Sequence, residues 1–207
     1  MAYDLEAATA HVAASDPVMA TVVERAGPCR LQIGHLDNPF QSLLKSIVYQ
    51  QLNGKAAGTI YGRVLDLFPG EHPDPDEILT ASDDTLRACG LSRNKTAAAK
   101  DLAARVLDGT VPDAEALETM DNAEIIERLT TVRGIGPWTV EMLLIFQLGR
   151  PDVLPVTDYG VRNGFRRAYD LEGLPTPKQL RDEGERWRPY RSVASWYLWR
   201  AADMDLF

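Results

Sequence analysis

Signals for the start of a helix recur along this chain from end to end, and they constrain its fold more than any other feature. Asp16-Pro17 and Asn38-Pro39 each place a capping side chain before a proline, a pair that suits the first turn of a helix. Alternating apolar and polar runs, which are typical of strands, are almost missing, so the sequence predicts an all-α fold. We expect helices within residues 16–27, 38–48, 54–68, 75–80, 83–89, 92–109, 113–119, 121–129, 137–146, 158–169, 176–186 and 189–201.

The charge balance first argues against a nucleic-acid partner, because the 207 residues carry a net charge of −8. The acidity is uneven, however. Residues 150–207 hold 10 Lys or Arg and 9 Asp or Glu, whereas residues 1–149 hold 12 and 21. A basic surface formed by residues near the C-terminus is therefore compatible with the sequence.

Composition narrows the possible cofactors and locations. Two cysteines exclude a four-cysteine zinc or iron–sulfur site within this chain, and the three histidines lack metal-ligand spacing. We expect no cofactor and no catalytic metal. The sequence shows no bilayer-length apolar run and no N-terminal signal pattern, so we expect a cytoplasmic protein, nucleoid-associated if bacterial. The sequence does not indicate an oligomeric state, and a monomer is the default expectation.

A glycine turn joins two apolar helical segments. In Leu129–Thr139, Gly134 and Gly136 flank Ile135, and Pro137 suits the first position of the following helix. The N–H groups at that helix start, with its positive dipole end, form an anion site that suits a DNA phosphate. A plain helix cap followed by a turn is the alternative.

Leu129–Thr139 resembles the helix-hairpin-helix of DNA repair glycosylases, and Leu154–Tyr159 resembles the loop that carries their catalytic aspartate. Residues 40–52 and 187–192 make the 3-methyladenine DNA glycosylase II family the best match, over roughly residues 37–200. The resemblance implies a two-lobed fold with the active-site cleft between the lobes, and we expect the N-terminal β domain of longer relatives to be absent. It places the hairpin in a lobe of residues 37–149, and the second lobe in residues 1–36 and 150–207.

The resemblance implies that Asp158 is the catalytic residue, next to Thr157 as expected N-cap. Breaking an N-glycosidic bond builds positive charge on the sugar, and one carboxylate can stabilise that charge and activate a water. A capping aspartate without chemistry is the alternative.

Some members of the wider superfamily of helix-hairpin-helix glycosylases also cut the strand, and they use a lysine shortly after the hairpin glycines. Here that position is Trp138, and no lysine occurs between Lys100 and Lys178. We therefore expect a monofunctional hydrolase without lyase activity.

A cationic alkylated purine that has left the base stack can bind to the electron-rich faces of aromatic side chains. The residues expected at the base pocket are Trp138, Trp199, Tyr159 and Gln50. The tryptophans could equally be core residues.

The partner implied is damaged double-stranded DNA. Leu52, beside Gly54, fits the wedge that fills the gap left by a flipped nucleotide, with a buried leucine as the alternative. The other expected DNA contacts are Gln51, Arg133, Gly134, Ile135, Gly136 and Arg191. The resemblance also implies a structural monovalent cation at the carbonyls of Thr130, Val132 and Ile135.

The predicted function is hydrolytic removal of alkylated purines during base excision repair. Two other classes stay open: a non-catalytic helix-hairpin-helix DNA-binding module, and a helical enzyme or interaction domain without a DNA role.

Overall fold

A computed structural model describes residues 3–70 and 72–203, and within these ranges every regular element is helical. The helices are α1 Leu5–Ser15, α2 Pro17–Ala26, α3 Pro39–Tyr49, α4 Gly54–Leu65, α5 Pro75–Thr80, α6 Asp83–Ala88, α7 Arg93–Leu107, α8 Ala114–Thr119, α9 Asn122–Leu129, α10 Pro137–Phe146, α11 Tyr159–Ala168, α12 Pro177–Gly184 and α13 Arg191–Asp203, with a 3-10 turn at Glu185–Trp187. The all-α prediction is confirmed. Among the described residues no helix combines the length and the apolar character needed to span a membrane.

Side-chain caps explain most helix starts. Asp16 accepts the N–H groups of Val18 and Met19, and Asn38 accepts that of Gln41. Helix α1 was missed by the sequence analysis, although Asp4 caps it in the same manner through the N–H groups of Glu6 and Ala7. Its alanine-rich sequence lacks the proline signal that marks α2 and α3.

The chain divides into two compact units. One comprises the described parts of Met1–His35 and Glu141–Phe207, and the other comprises Leu36–Val140. The boundary falls inside α10, after its first turn, so the hairpin belongs to the second unit.

In the unit formed by both chain ends, α11 packs against α13 at very short range. A Cβ atom on Gly164 would overlap the main-chain carbonyl of Leu198, so the glycine sets the distance between the two helices. Phe165, Trp187 and Tyr197 are buried around this contact. The close packing fixes α11, whose N-cap is Asp158, against α13, which carries Trp199.

The unit of Leu36–Val140 is built around α3, whose apolar face is buried as its helical spacing predicts. Leu43, Leu44 and Val48 are fully buried, and α4 and α7 pack against this helix. The C-terminal end of α3 leads into a short loop, and α9 leads into the hairpin. These two connections carry most of the residues predicted to contact DNA.

Candidate active site and hairpin

Asp158 is the N-cap of α11, a position that the sequence analysis had given to Thr157. Its Oδ1 accepts the N–H of Val161 at 2.7 Å and the indole Nε1–H of Trp199 at 2.9 Å. Thr157 lacks this role because its side chain is exposed and Asp158 already satisfies the first turn. Two N–H donors thus hold the carboxyl group of Asp158 in a fixed orientation at the start of the helix.

The contact between Trp199 and Asp158 requires a glycine. A Cβ on Gly160 would lie 2.8 Å from Trp199 Cδ1 and 3.1 Å from Asp158 Oδ1. Phe146 also contacts the indole, and its ring stacks on that of Trp199 with centroids 5.7 Å apart. Trp199, predicted as a pocket residue, is therefore bound directly to the predicted catalytic residue.

Sequence reasoning missed Phe146 and Gly160. Phe146 was taken as an ordinary apolar residue of its helix, and it gave no separate signal. Gly160 stands in the first turn of α11, where a glycine brings no stability to the helix, so its presence was the signal that a close approach occurs there.

Glu141 is a second carboxyl group of this unit that the sequence analysis did not single out. Its Oε2 atom is buried without a hydrogen-bond partner in the structure. Burial, together with the charge of Asp158, raises the pKa of Glu141 to about 7, while Arg181 acts in the opposite direction. Near neutral pH this side chain therefore exists in both its acid and its ionised form.

Replacing Glu141 with Gln is expected to stabilise the protein in a pH-dependent way. Below the ordinary pKa of 4.5 the carboxyl is protonated in both the folded and the unfolded chain, so ionisation contributes no difference. As the pH rises to about 7 the unfolded chain ionises first, and the wild-type protein loses stability that the Gln variant keeps. Thermal unfolding at acidic and at mildly alkaline pH measures this change.

The matched control for that experiment is Glu172→Gln, an exposed carboxyl of the same unit. Its melting temperature should differ from wild type by a similar small amount at each pH. A Glu141→Gln advantage that stays constant or shrinks as the pH rises would contradict the assignment.

The hairpin lies in the other unit, between α9 and α10. Gly134 has a φ of +80°, a conformation that residues with side chains disfavour, and a Cβ there would lie 3.3 Å from Ala98. Ile135 is 4% exposed and anchors the turn in the core. The N–H of Arg133 donates to Asp101 Oδ2 at 2.7 Å, while its side chain is exposed. Gly136 precedes Pro137, the first residue of α10.

The loop after α3 presents Leu52, which is 39% exposed. The alternative of a buried core leucine does not hold. Gln51 before it has a φ of +58°, and the amide Nε2 of Gln50 donates to the carbonyl of Gly134 at 2.8 Å. Gln50, predicted beside the base, is thus engaged with the hairpin backbone.

Two aromatic residues predicted for the base pocket are open to solvent. Trp138, in the first turn of α10, is 47% exposed, and Tyr159, at the start of α11, is 68% exposed. Each belongs to a different unit. Their exposure agrees with a role in ligand contact better than with the alternative of core packing.

Arg191, predicted to contact DNA, takes part in an ion-pair network within the protein. Its guanidinium pairs with both carboxylate oxygens of Asp152, at 2.5 and 3.1 Å, and with Glu185. Its side chain is 13% exposed and three of its five N–H donors are used in these pairs, so the DNA contact stays a prediction.

The carbonyls suggested for a monovalent cation lie in the hairpin turn. Val132 O accepts the N–H of Ile135 at 3.0 Å, and a carbonyl oxygen keeps a second lone pair after one hydrogen bond. Carbonyl oxygens are suitable ligands for a hard cation. The cation site stays a prediction. The described residues contain no cluster of three or more His, Cys, Asp or Glu side chains that could hold a metal ion.

Comparison with known proteins agrees with these features. Residues 44–189 match the HhH-GPD superfamily of base excision DNA repair proteins. The chain is 40% identical over 167 residues to DNA-3-methyladenine glycosylase 1 of Schizosaccharomyces pombe, which covers 80% of this chain and 73% of that protein.

Two solved structures are also similar. The S. pombe 3-methyladenine DNA glycosylase Mag1 in complex with abasic DNA has a TM-score of 0.82 and 36% identity, covering 97% of this chain and 98% of that one. A DNA-3-methyladenine glycosidase from Bacillus halodurans has a TM-score of 0.83 and 41% identity, covering 93% and 87%. The hairpin, the capped aspartate and these matches together show that the chain belongs to the HhH-GPD superfamily of base excision DNA repair proteins.

Proposed function

We propose that this protein is a monofunctional DNA glycosylase that removes alkylated purines from duplex DNA and leaves an abasic site. The observation that carries the proposal is the carboxylate of Asp158, held by the N–H groups of Val161 and Trp199. The names of its relatives, which are 3-methyladenine glycosylases, support the substrate class. They also favour a glycosylase over a non-catalytic DNA-binding module.

The chemistry follows from the charge of that carboxylate. As the bond between C1′ and the base nitrogen breaks, the base leaves with the bonding electrons and the sugar becomes positively charged. The Asp158 carboxylate stabilises this charge and accepts a proton from the water that attacks C1′. Its two N–H donors keep it oriented while the charge develops.

The remaining predicted residues either recognise the damaged base or bind the rest of the DNA. Trp138 and Tyr159 supply exposed aromatic faces for a cationic base. Leu52 fills the space that the flipped nucleotide leaves, and the hairpin at Gly134–Gly136 binds a backbone phosphate. We propose a monomer acting in the compartment that holds the DNA.

The test is an excision assay on duplex oligonucleotides that each carry one alkylated purine. Release of the free base with an intact strand is the expected result, and strand breaks should appear only after the abasic product is treated with alkali. Borohydride added during the reaction should trap no covalent complex, because Trp138 stands where a lyase would need lysine. A glycosylase with lyase activity serves as the positive control, and a trapped adduct with this protein would overturn the monofunctional assignment.

A further inference from the structure

Lys95 occupies a position that its own helix does not explain. It lies in the first turn of α7, where Ser92 is the N-cap and accepts the N–H of Lys95 at 3.2 Å. The start of a helix is the positive end of its dipole, so a cation there is unfavourable. The charge of Lys95 must therefore be explained by another part of the unit.

The ammonium group of Lys95 caps the C-terminal end of α3. Its Nζ donates to the carbonyls of Val48 and Gln50, at 2.7 Å each. Helix α3 ends at Tyr49, and the carbonyls of a last turn lack partners within the helix and carry its negative dipole end. Lys95 thus joins two helix ends of opposite polarity. Burial lowers its pKa, as expected for a cation withdrawn from water.

The residues that follow α3 form the Leu52 loop, defined as residues 50–53. At its start the Gln50 carbonyl accepts from Lys95, and the Gln50 side chain donates to the Gly134 carbonyl in the hairpin. Gln51 is left-handed with a φ of +58°, which a residue with a side chain adopts only when its surroundings hold it there. The loop therefore depends on contacts outside itself.

Close packing does not supply these contacts. A cavity of about 370 Å³ lies beside the loop and is lined by Ile47, Gln50, Gln51, Lys95, Ala98 and Gly134, among others. With open space at this side of the loop, directional hydrogen bonds remain to fix its conformation. Those from Lys95 are charge-assisted and short, so they are the stronger ones.

We propose that Lys95 is a positioning residue for the Leu52 loop, which it holds at a fixed place relative to the hairpin within the same unit. The inference rests on the proposed function, in which Leu52 enters the DNA stack while the hairpin grips a phosphate. Lys95 does so without contacting DNA: its ammonium group donates to two backbone carbonyls, and the wedge and the grip then act at a constant separation.

The experiment compares Lys95→Met with Lys100→Met. Methionine keeps most of the aliphatic stem but has no ammonium group. Lys100 also lies on α7, and it pairs with Asp83 of α6. Its replacement therefore removes the same charge without affecting the Leu52 loop. Hydrogen exchange of the free protein is measured first. Loss of Lys95 should speed exchange at residues 50–53 about tenfold, the change that corresponds to losing a hydrogen bond with a charged group.

Excision and binding are measured next on the same proteins. Lys95→Met should slow single-turnover excision by about 10- to 100-fold, because the wedge is misplaced. Its affinity for undamaged duplex should keep the wild-type dependence on salt. A salt dependence shallower by about one phosphate contact would instead identify Lys95 as a direct DNA ligand and overturn the proposal. Lys100→Met should match wild type in loop exchange and in excision.

A third variant guards against a general folding defect. Lys95→Arg keeps the charge and can still reach carbonyl oxygens, so it should restore part of the loop protection and part of the excision rate. Unchanged exchange at residues 50–53 in Lys95→Met would refute the positioning role. The exchange experiment needs no substrate, so it is informative even if the wild-type protein fails to excise alkylated purines, a result that would refute the proposed function alone.

Discussion

Replacing Asp158 with Asn should reduce excision of alkylated purines by about 10²- to 10⁴-fold while leaving DNA binding intact. Asparagine keeps the size of the side chain and an oxygen that can accept the N–H of Val161, so α11 remains capped. It loses the negative charge that stabilises the sugar and the base that activates water. Single-turnover excision measures the first effect, and titration of a duplex with an abasic analogue measures the second.

The matched control is Asp121→Asn, because Asp121 caps α9 through the N–H of Glu124 in the same way. This variant should excise at close to the wild-type rate. Excision by Asp158→Asn at a rate near wild type would remove Asp158 from the mechanism. Loss of both excision and binding, with normal folding, would instead favour a role for Asp158 in holding DNA.

Replacing Gly164 with Ala should cause the largest loss of stability of any single methyl addition in α11. The new Cβ would overlap the Leu198 carbonyl, so α11 and α13 must separate. Overpacking of this kind typically costs about 1–3 kcal/mol, and an overlap with main chain belongs at or above the upper end. Denaturant unfolding gives the free energy, and the loss should be accompanied by reduced excision, because Asp158 and Trp199 lie on the two separated elements.

Gly62→Ala is the control for this prediction. Gly62 also lies inside a helix, α4, but a Cβ there meets nothing within 4 Å. Alanine should therefore stabilise the protein by up to about 1 kcal/mol, through its better helix propensity. Equal effects of the two substitutions would mean that the contact between α11 and α13 is looser than the structure indicates.

Much of the fold could be read from local sequence. Capping side chains, prolines at first helical positions and apolar spacing identified α2, α3, α7, α9 and α10 within a few residues of their bounds. These signals are local, because a capping side chain and the backbone N–H that donates to it are separated by two or three residues. Helix α1 was missed because its alanines give little apolar periodicity, and its cap alone was not weighed.

The site was harder to predict, since its geometry depends on residues far apart in the chain. Asp158 was identified through a resemblance, but the hydrogen bond from Trp199 spans 41 positions, and Gly160 indicates a close approach without identifying Trp199 as the partner. The raised pKa of Glu141 was missed for the same reason, because burial and the proximity of a second carboxylate depend on the tertiary structure. The ion pairs of Arg191 with Asp152 and Glu185 were missed because a surface arginine and a paired one look alike in sequence.

Because one carboxyl group both caps α11 and accepts the N–H of Trp199, the folding of this protein and its proposed chemistry depend on a single side chain. Ser, Thr and Asn also cap helices well, so several one-residue changes at position 158 should yield well-folded proteins. Under the proposed function, such proteins would bind a lesion without excising the base, and they would keep the lesion from active repair enzymes.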